Sequence, residues 1–122
     1  MEVGWLAGDL VMDGKLVEAS PRVALRRQLE RAANKGYRMK TGVECEYFLV
    51  STDGLSISDA NDTQVKPCYD QSALMRRYDV ISEICQAMES LGWGPYQNDH
   101  EDANGQFEMN WEYAECLTTA DR

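Results

Sequence analysis

The sequence predicts an α+β fold in which helices pack on one face of a mostly antiparallel sheet. Two segments with apolar residues at helical spacing are separated by extended segments, and one extended segment runs into the reversal sequence of residues 102–105. The length of 122 residues suits a single domain, and we expect one domain over residues 1–122. Apolar and charged contents of 43% and 27% are typical of a soluble globular chain.

Charge and cysteine usage narrow the functional classes. The formal net charge is -9, which argues against a protein that binds nucleic acid or an anionic membrane. The sequence contains nothing that resembles a signal peptide or a membrane span, so we expect a cytoplasmic chain with reduced thiols. Four cysteines without a Cys-x-x-Cys pair, and one histidine, argue against a structural zinc site.

The first third of the chain predicts a short extended segment over residues 4–12, a turn at Asp13-Gly14 and a helix. Ser20 and Pro21 provide a capping residue and a proline at the first helical position, and Gly36 is a stop signal. The polar flank of this helix is expected to be solvated, with contact to a phosphate or a partner subunit as the alternative. That flank consists of Arg22, Arg26, Arg27 and Arg31.

The middle of the chain predicts a strand from about 38 to 51, a polar loop over 56–66 and the clearest helix. Asp70 is the predicted N-cap of that helix, and Gly92 is its stop signal. The apolar stripe of the helix contains Leu74, Tyr78, Ile81, Cys85 and Met88, and the simplest interpretation of Cys85 is a core residue. A strand over 93–99, the reversal, a second hairpin strand and a helix from about Tyr113 follow.

Carboxylates stand at even spacing within two of these extended segments. Glu44 and Glu46 share one face of the first, and the reversal brings Glu101 near Glu108. Two carboxylates about 4 Å apart repel by roughly 4 kcal/mol at an effective dielectric constant of 20. Either solvation of an exposed sheet face relieves this repulsion, or the four glutamates hold magnesium, manganese or calcium.

His100 is the only imidazole, and the residues leave its role open. It could assist a metal or a phosphate, or it could form local hydrogen bonds. The sequence contains no Gly-x-Ser-x-Gly motif, P-loop or Gly-x-Gly-x-x-Gly motif, so these nucleophile and phosphate-binding patterns give no assignment.

Both acidic segments resemble motifs of the glutamine synthetase family. Residues 42–49 read Gly-Val-Glu-Cys-Glu-Tyr-Phe-Leu and are similar to its Glu-x-Glu-(Phe/Tyr)-Phe strand. Residues 100–108 are similar to its His-Glu-x-x-x-Gly-Gln-x-Glu hairpin. The similarity extends from Asp13-Gly14 to Ala120-Asp121-Arg122, and includes Pro21-Arg22-x-x-Leu25. Residues 66–70 and 98–111 look closest to the bacterial type III or γ-glutamylmethylamide synthetase branch.

This resemblance implies an ATP-dependent ligase that joins glutamate to ammonia or a small amine through a γ-glutamyl phosphate, with two Mg²⁺ or Mn²⁺ ions. By motif position, Glu44 would ligate the metal nearer the nucleotide phosphates. The metal nearer glutamate would be held by Glu46, Glu101 and Glu108. Asp99 stands where many relatives have a histidine or another polar residue. The resemblance also implies a homo-oligomer for the full-length protein.

The length departs from the family pattern. We expect the chain to be the N-terminal portion of a catalytic domain, with an incomplete ATP site, unidentified cofactor-binding residues and no complete catalytic set. It should then be inactive as a synthetase by itself. The alternative is a non-catalytic truncated relative that binds a divalent ion or a synthetase subunit. A simple calcium- or magnesium-binding protein is a third candidate, although no EF-hand loop occurs.

Overall fold

The computed structural model of the chain describes residues 3–122, which form two compact units. Unit 1 comprises the described residues up to Thr41 together with Tyr113–Arg122, and unit 2 is Gly42–Glu112. Helices and antiparallel strands occur in both units, which confirms the predicted α+β class. The prediction of a single domain over residues 1–122 stays a prediction.

The first regular structure of unit 1 is a β-hairpin with a two-residue loop at the predicted turn. Strand β1 (Val11–Met12) pairs antiparallel with β2 (Lys15–Leu16). Asp13 and Gly14, which connect them, have φ values of 51° and 74°. Positive φ at both central positions is the geometry of a type I′ turn, which follows the right-handed twist of the strands. The predicted turn is therefore confirmed.

The first helix, α1 (Pro21–Ala33), begins at the predicted proline. Gly36, beyond the end of the helix, has a φ of 83°. The N–H of Tyr37 donates back to the carbonyl of Ala32 in the last helical turn. The predicted stop is therefore confirmed. Ser20 makes no side-chain capping hydrogen bond, in contrast to its predicted role. Strand β3 (Lys40–Thr41) pairs antiparallel with β7 (Ala114–Glu115), and helix α4 (Cys116–Asp121) follows.

Part of the arginine flank of α1 is engaged within unit 1. Asp9 accepts hydrogen bonds from both Arg22 and Arg26. Arg22 also clasps Asp121 with two parallel bonds, of 2.8 Å from Nε and 2.9 Å from Nη2. The guanidinium of Arg22 lowers the pKa of both aspartates. The predicted solvated flank is therefore wrong for Arg22 and Arg26, because unit 1 supplies carboxylates from distant positions in the chain.

Unit 2 contains a three-stranded antiparallel sheet in the order β4 (Glu44–Phe48), β6 (Gln106–Trp111), β5 (Pro95–His100). Helices α2 (Gln71–Arg76) and α3 (Tyr78–Ser90) pack against one face of this sheet. The resulting core contains Leu74, Ile81, Met88, Phe107, Met109 and Trp111.

Several elements of the structure differ in position or extent from the elements predicted from the sequence. The strand predicted over 38–51 is divided between β3 of unit 1 and β4 of unit 2. Asp70 caps α2 as predicted, accepting from the Ser72 N–H at 2.9 Å, but the helix is interrupted at Arg77, whose φ is −115°. Tyr78, predicted in the apolar stripe, is exposed. The final helix begins at Cys116, three residues after the predicted Tyr113.

The length and composition of the helices show whether any of them could cross a membrane. Each helix between residues 3 and 122 falls short of the length and apolar character that a bilayer-spanning helix requires.

Asp121→Asn should lower the urea concentration at which half of the chain unfolds at pH 7, because Arg22 loses the carboxylate that it clasps. The pKa of Asp121 is lowered in the folded state. Its contribution to stability is therefore present above the unfolded pKa of about 3.9 and is lost as the pH falls through the folded pKa. The difference between parent and variant should thus shrink under acid conditions.

Urea titrations followed by circular dichroism at pH 7 and pH 3 measure this effect. Glu30→Gln, on the exposed side of α1, is the matched control and should leave the midpoint unchanged. Equal midpoints for the parent and Asp121→Asn at pH 7 would contradict the expectation.

Candidate metal site

The register of the unit 2 sheet brings acidic residues of different strands together. Glu46 of β4 lies directly opposite Glu108 of β6, and Asp99 of β5 lies opposite Glu108 from the other side. Side chains alternate between the two faces of a strand, so Glu44 shares the face of Glu46 and Glu108. The opposite face carries the core residue Phe107. The sheet therefore has one apolar face and one face with a concentration of carboxylates.

Three glutamates converge on this face. Each of Glu46, Glu101 and Glu108 offers a carboxylate oxygen, and the three oxygens lie within 4.8 Å of one another. Glu101 follows β5 directly, and its N–H donates to the Gln106 carbonyl at 2.9 Å, which closes the hairpin. Glu101 and Glu108 are partly buried, whereas Glu46 is exposed. Glu46 thus meets two glutamates of the hairpin that follow it by 55 and 62 positions in the chain.

The electrostatics of this cluster are unfavourable for three free carboxylates. Burial raises the pKa of Glu101, and so do its hydrogen bond to Glu108 and the negative charges of Glu108 and Glu46. Within residues 3–122 none of the three forms an ion pair with an arginine or lysine side chain. Gln106 donates its side-chain amide to Glu46 and is a neutral partner. The site therefore favours a bound cation or proton.

The donor set matches a hard divalent cation. Three carboxylates supply oxygen ligands only, which suits magnesium, manganese or calcium and leaves further coordination positions for water or ligand oxygens. Convergence and partial burial favour this interpretation over a merely solvated acidic face. The residues present therefore fit the metal that the sequence motifs imply.

Glu44 stands apart from the three converging glutamates. It lies on the same face, two residues before Glu46, and pairs with Asn110 across β4 and β6. Its side chain is exposed and lies outside the cluster of three. The structure thus separates the four predicted ligands into a group of three and one neighbour. Metal binding by all four stays a prediction.

His100 lies on the core side of the sheet, and its ring is fully buried. The ring packs edge-on against Phe107 with a centroid separation of 5.1 Å. Nδ1 lies 2.9 Å from the Glu101 carbonyl oxygen, and Nε2 lies 2.6 Å from Oδ2 of Asp62. Both ring nitrogens are engaged within the protein. Of the two roles left open by the sequence, the structure supports local hydrogen bonding.

Asp62 was missed by the sequence reasoning, which placed it in a polar loop. Its exposed fraction is only 2%, and it accepts hydrogen bonds from His100, the Gly105 N–H and the Asn104 side chain. Burial by itself would raise the pKa of Asp62, but these three hydrogen bonds outweigh burial and the pKa is lowered. The signal available in the sequence was indirect, since a buried histidine needs an acidic or carbonyl partner.

The segment over residues 66–70, whose sequence resembles one branch of the family, adjoins the hairpin. The Tyr69 N–H donates to the His100 carbonyl at 2.8 Å, and Tyr69 has an unusual φ of 65°. Negative charge on Cys68, Glu101 and Asp99 raises the pKa of the Tyr69 phenol. Burial and a hydrogen bond to Asp102 raise the pKa of the Cys68 thiol, so this cysteine is a poor nucleophile.

Comparison with known proteins identifies the family of these motifs. The family model described as "Glutamine synthetase, catalytic domain" matches residues 18–122. A glutamine synthetase of Rhizobium leguminosarum bv. phaseoli is 64% identical over 99% of this chain and 28% of its own length. A glutamate–methylamine ligase of Methyloversatilis universalis is 41% identical over 88% of this chain and 25% of its own length.

A solved structure shows the same similarity in three dimensions. The structure of a "GmaS/ADP complex" superposes with a TM-score of 0.91 at 65% identity, covering 97% of this chain and 27% of that chain. The chain thus spans little more than a quarter of the length of the relatives that it matches. These findings confirm the resemblance that the motifs indicated.

Glu101→Gln should stabilise the metal-free chain at pH 7 by about 0.5 kcal/mol, because it removes one of three like charges while keeping the side-chain shape. Urea unfolding in the presence of EDTA measures the change. Glu89→Gln, on the exposed surface of α3, is the control and should have no effect. A less stable Glu101→Gln variant would contradict the inferred repulsion.

Gly105→Ala should destabilise the chain by about 2 kcal/mol, because it introduces a side chain at a left-handed position in contact with Ile57. Gly105 has a φ of 75°, and an added Cβ would lie 2.6 Å from Cγ2 of Ile57. Urea unfolding of the parent, Gly105→Ala, Ile57→Ala and the double variant measures both effects. Purely additive effects of the two substitutions would show that the Ile57 contact is not a cause.

Proposed function

The chain belongs to the glutamine synthetase family, whose catalytic-domain model it matches, and we propose that Glu46, Glu101 and Glu108 hold a magnesium or manganese ion used in ligation. The observation that carries this proposal is the approach of three carboxylate oxygens within 4.8 Å from separated segments. Partial burial and the raised pKa of Glu101 add to it, because a cation would offset the repulsion that disfavours the ionised carboxylates.

The proposed reaction is the ATP-dependent joining of glutamate to ammonia or a small amine through a γ-glutamyl phosphate. When bound, the cation would neutralise phosphate oxygens during transfer. The names of similar proteins, a glutamine synthetase and a glutamate–methylamine ligase, support this substrate class. The strands of the unit 2 sheet would hold the carboxylates of Glu46, Glu101 and Glu108 at fixed positions for this chemistry.

Glu44 is proposed as a ligand of a second ion nearer the nucleotide phosphates. Its place on the same face, two residues from Glu46, supports this assignment. ATP would act as a co-substrate for which this chain supplies part of the site. For the whole protein we propose a cytoplasmic homo-oligomer in which residues 1–122 form the N-terminal portion of the catalytic domain.

Calorimetric titration with Mn²⁺ tests the cation site. The parent chain should bind weakly, because the three carboxylates fill only part of a coordination shell. Glu101→Gln and Glu108→Gln should each reduce the affinity by about tenfold or more, since each removes one charged ligand. Glu89→Gln removes the same charge from exposed α3 and should bind like the parent. Heat equal to the buffer control for the parent would contradict the proposal.

The 122-residue chain by itself should lack synthetase activity, because it spans 28% of the length of the glutamine synthetase that it matches. A coupled phosphate-release assay with ATP, glutamate and either ammonia or methylamine measures this. Turnover above the blank by the purified chain would overturn the expectation.

A chimera separates the ligase from the alternative of a non-catalytic relative that binds a cation or a synthetase subunit. The chain would replace the matching segment of the Rhizobium leguminosarum enzyme, to which it is 64% identical. Phosphate release by the chimera, and its loss in the Glu108→Gln version, would support the ligase. A folded chimera that binds Mn²⁺ without turnover would favour the non-catalytic alternative.

A further inference from the structure

A second buried network lies beneath the carboxylate cluster, on the core side of the same hairpin. Its centre is Asp62, which belongs to the loop between β4 and α2. Asp62 is 38 residues from His100 and 43 residues from Gly105, so its contacts with the hairpin are long-range. None of the motifs that identify the family includes Asp62.

The contacts of Asp62 reach the end of strand β5 and the reversal that precedes β6. Oδ2 accepts from His100 Nε2 and from the Gly105 N–H, each at 2.6 Å. Oδ1 accepts from the Asn104 side chain at 3.0 Å. His100 immediately precedes Glu101, whereas Gly105 lies three residues before Glu108. One buried carboxylate thus connects the backbone segments that carry two of the three clustered glutamates.

His100 extends this connection to Glu101 itself. Its Nδ1 faces the Glu101 carbonyl oxygen at 2.9 Å. A carbonyl oxygen only accepts hydrogen bonds, so Nδ1 carries a proton. The other ring nitrogen, Nε2, lies 2.6 Å from Oδ2 of Asp62, and these two contacts fix the orientation of the ring and the position of the Glu101 backbone.

We propose that Asp62 is a positioning residue for the carboxylate cluster, acting through His100 and Gly105 to hold Glu101 and Glu108 at the separation needed for a divalent cation. This inference rests on the proposed cation site and deepens it. A carboxylate suits the position because both of its oxygens must accept, Oδ2 from His100 and the Gly105 N–H and Oδ1 from Asn104. An asparagine at 62 has only one accepting oxygen, so its amide N–H₂ group would face the donor or donors on the other side.

Asp59 provides a matched control in the same loop. It is also buried, with an exposed fraction of 6%, and it accepts from Arg76 Nε at 2.6 Å and from the Asn61 N–H at 3.0 Å. These partners belong to α2 and to the loop itself and not to the hairpin. Asp59→Asn therefore removes an equal charge from another buried side chain of the same loop without touching the hairpin.

The experiment compares the parent, Asp62→Asn and Asp59→Asn, each as the full 122-residue chain. Mn²⁺ affinity is measured by the electron paramagnetic resonance signal of the free ion, and thermal unfolding is measured with EDTA present. Asp62→Asn should reduce Mn²⁺ affinity by about tenfold, a loss typical of residues that orient metal ligands. Asp59→Asn should change the affinity by less than about twofold, as expected for a residue outside the positioning network, despite a comparable fall in unfolding temperature.

Equal losses of affinity in the two variants would overturn the proposal, because general destabilisation would then explain both. Unchanged affinity in Asp62→Asn would also overturn it. If Asp62→Asn does not fold, Asn104→Ala decides the matter, since it removes only one of the three donors to Asp62. A loss of Mn²⁺ affinity in Asn104→Ala that is measurable but smaller than the roughly tenfold loss expected for Asp62→Asn supports positioning. An affinity equal to that of the parent overturns the proposal.

Hydrogen exchange separates failure of this inference from failure of the cation site. The Glu101 N–H donates to the Gln106 carbonyl and reports hairpin closure without any metal. If the parent binds no Mn²⁺, the proposed cation site fails. Faster exchange at Glu101 in Asp62→Asn than in Asp59→Asn would still support positioning. Equal exchange at Glu101 in both variants would overturn it.

Discussion

The architecture of unit 2 depends on a strand register that brings three mutually repelling carboxylates together. The pairing of β6 between β4 and β5 fixes Glu46 opposite Glu108, and the hairpin brings Glu101 to the same point. Like charges opposite each other weaken a sheet, so favourable interactions elsewhere must stabilise this register. Those interactions lie on the other face of the same strands.

The core face of the hairpin supplies that compensation. Phe107 and Met109 of β6 are buried against α2 and α3, and a shift of one residue in register would move them to the solvent face. Burial of an aromatic side chain contributes about 1.5–3 kcal/mol, which is comparable to the repulsion of a partly solvated carboxylate pair. The apolar face therefore fixes the register that the acidic face opposes.

The buried polar network adds directional constraints that apolar packing cannot supply. Hydrophobic contacts select a face, but they leave strand ends and turns free to adjust. Asp62, His100 and Gly105 are linked by hydrogen bonds of 2.6 Å beneath the reversal, and Gly105 has no space for a Cβ beside Ile57. A cation site requires oxygen positions defined to a fraction of an ångström, so such constraints match the proposed chemistry.

Local sequence signals were sufficient for the features that depend on neighbouring residues. Alternation of side chains identified the acidic face, Asp13-Gly14 and the reversal at 102–105 identified turns, and Asp70 identified a helix start. The two acidic motifs identified the family, which the comparisons confirm. Even spacing of carboxylates singled out the four candidate metal ligands, motif position assigned each to one of two ions, and their role stays a prediction.

The sequence by itself determined which residues share a face, where the chain turns and which family the motifs indicate, because these follow from backbone periodicity and local conformational preference. Tertiary structure alone decided that His100 faces the core, that Asp62 is its partner and that Glu44 stands apart from the other three glutamates. Those outcomes depend on which distant segments become neighbours, and pairing across 38 residues leaves no periodic trace in the chain.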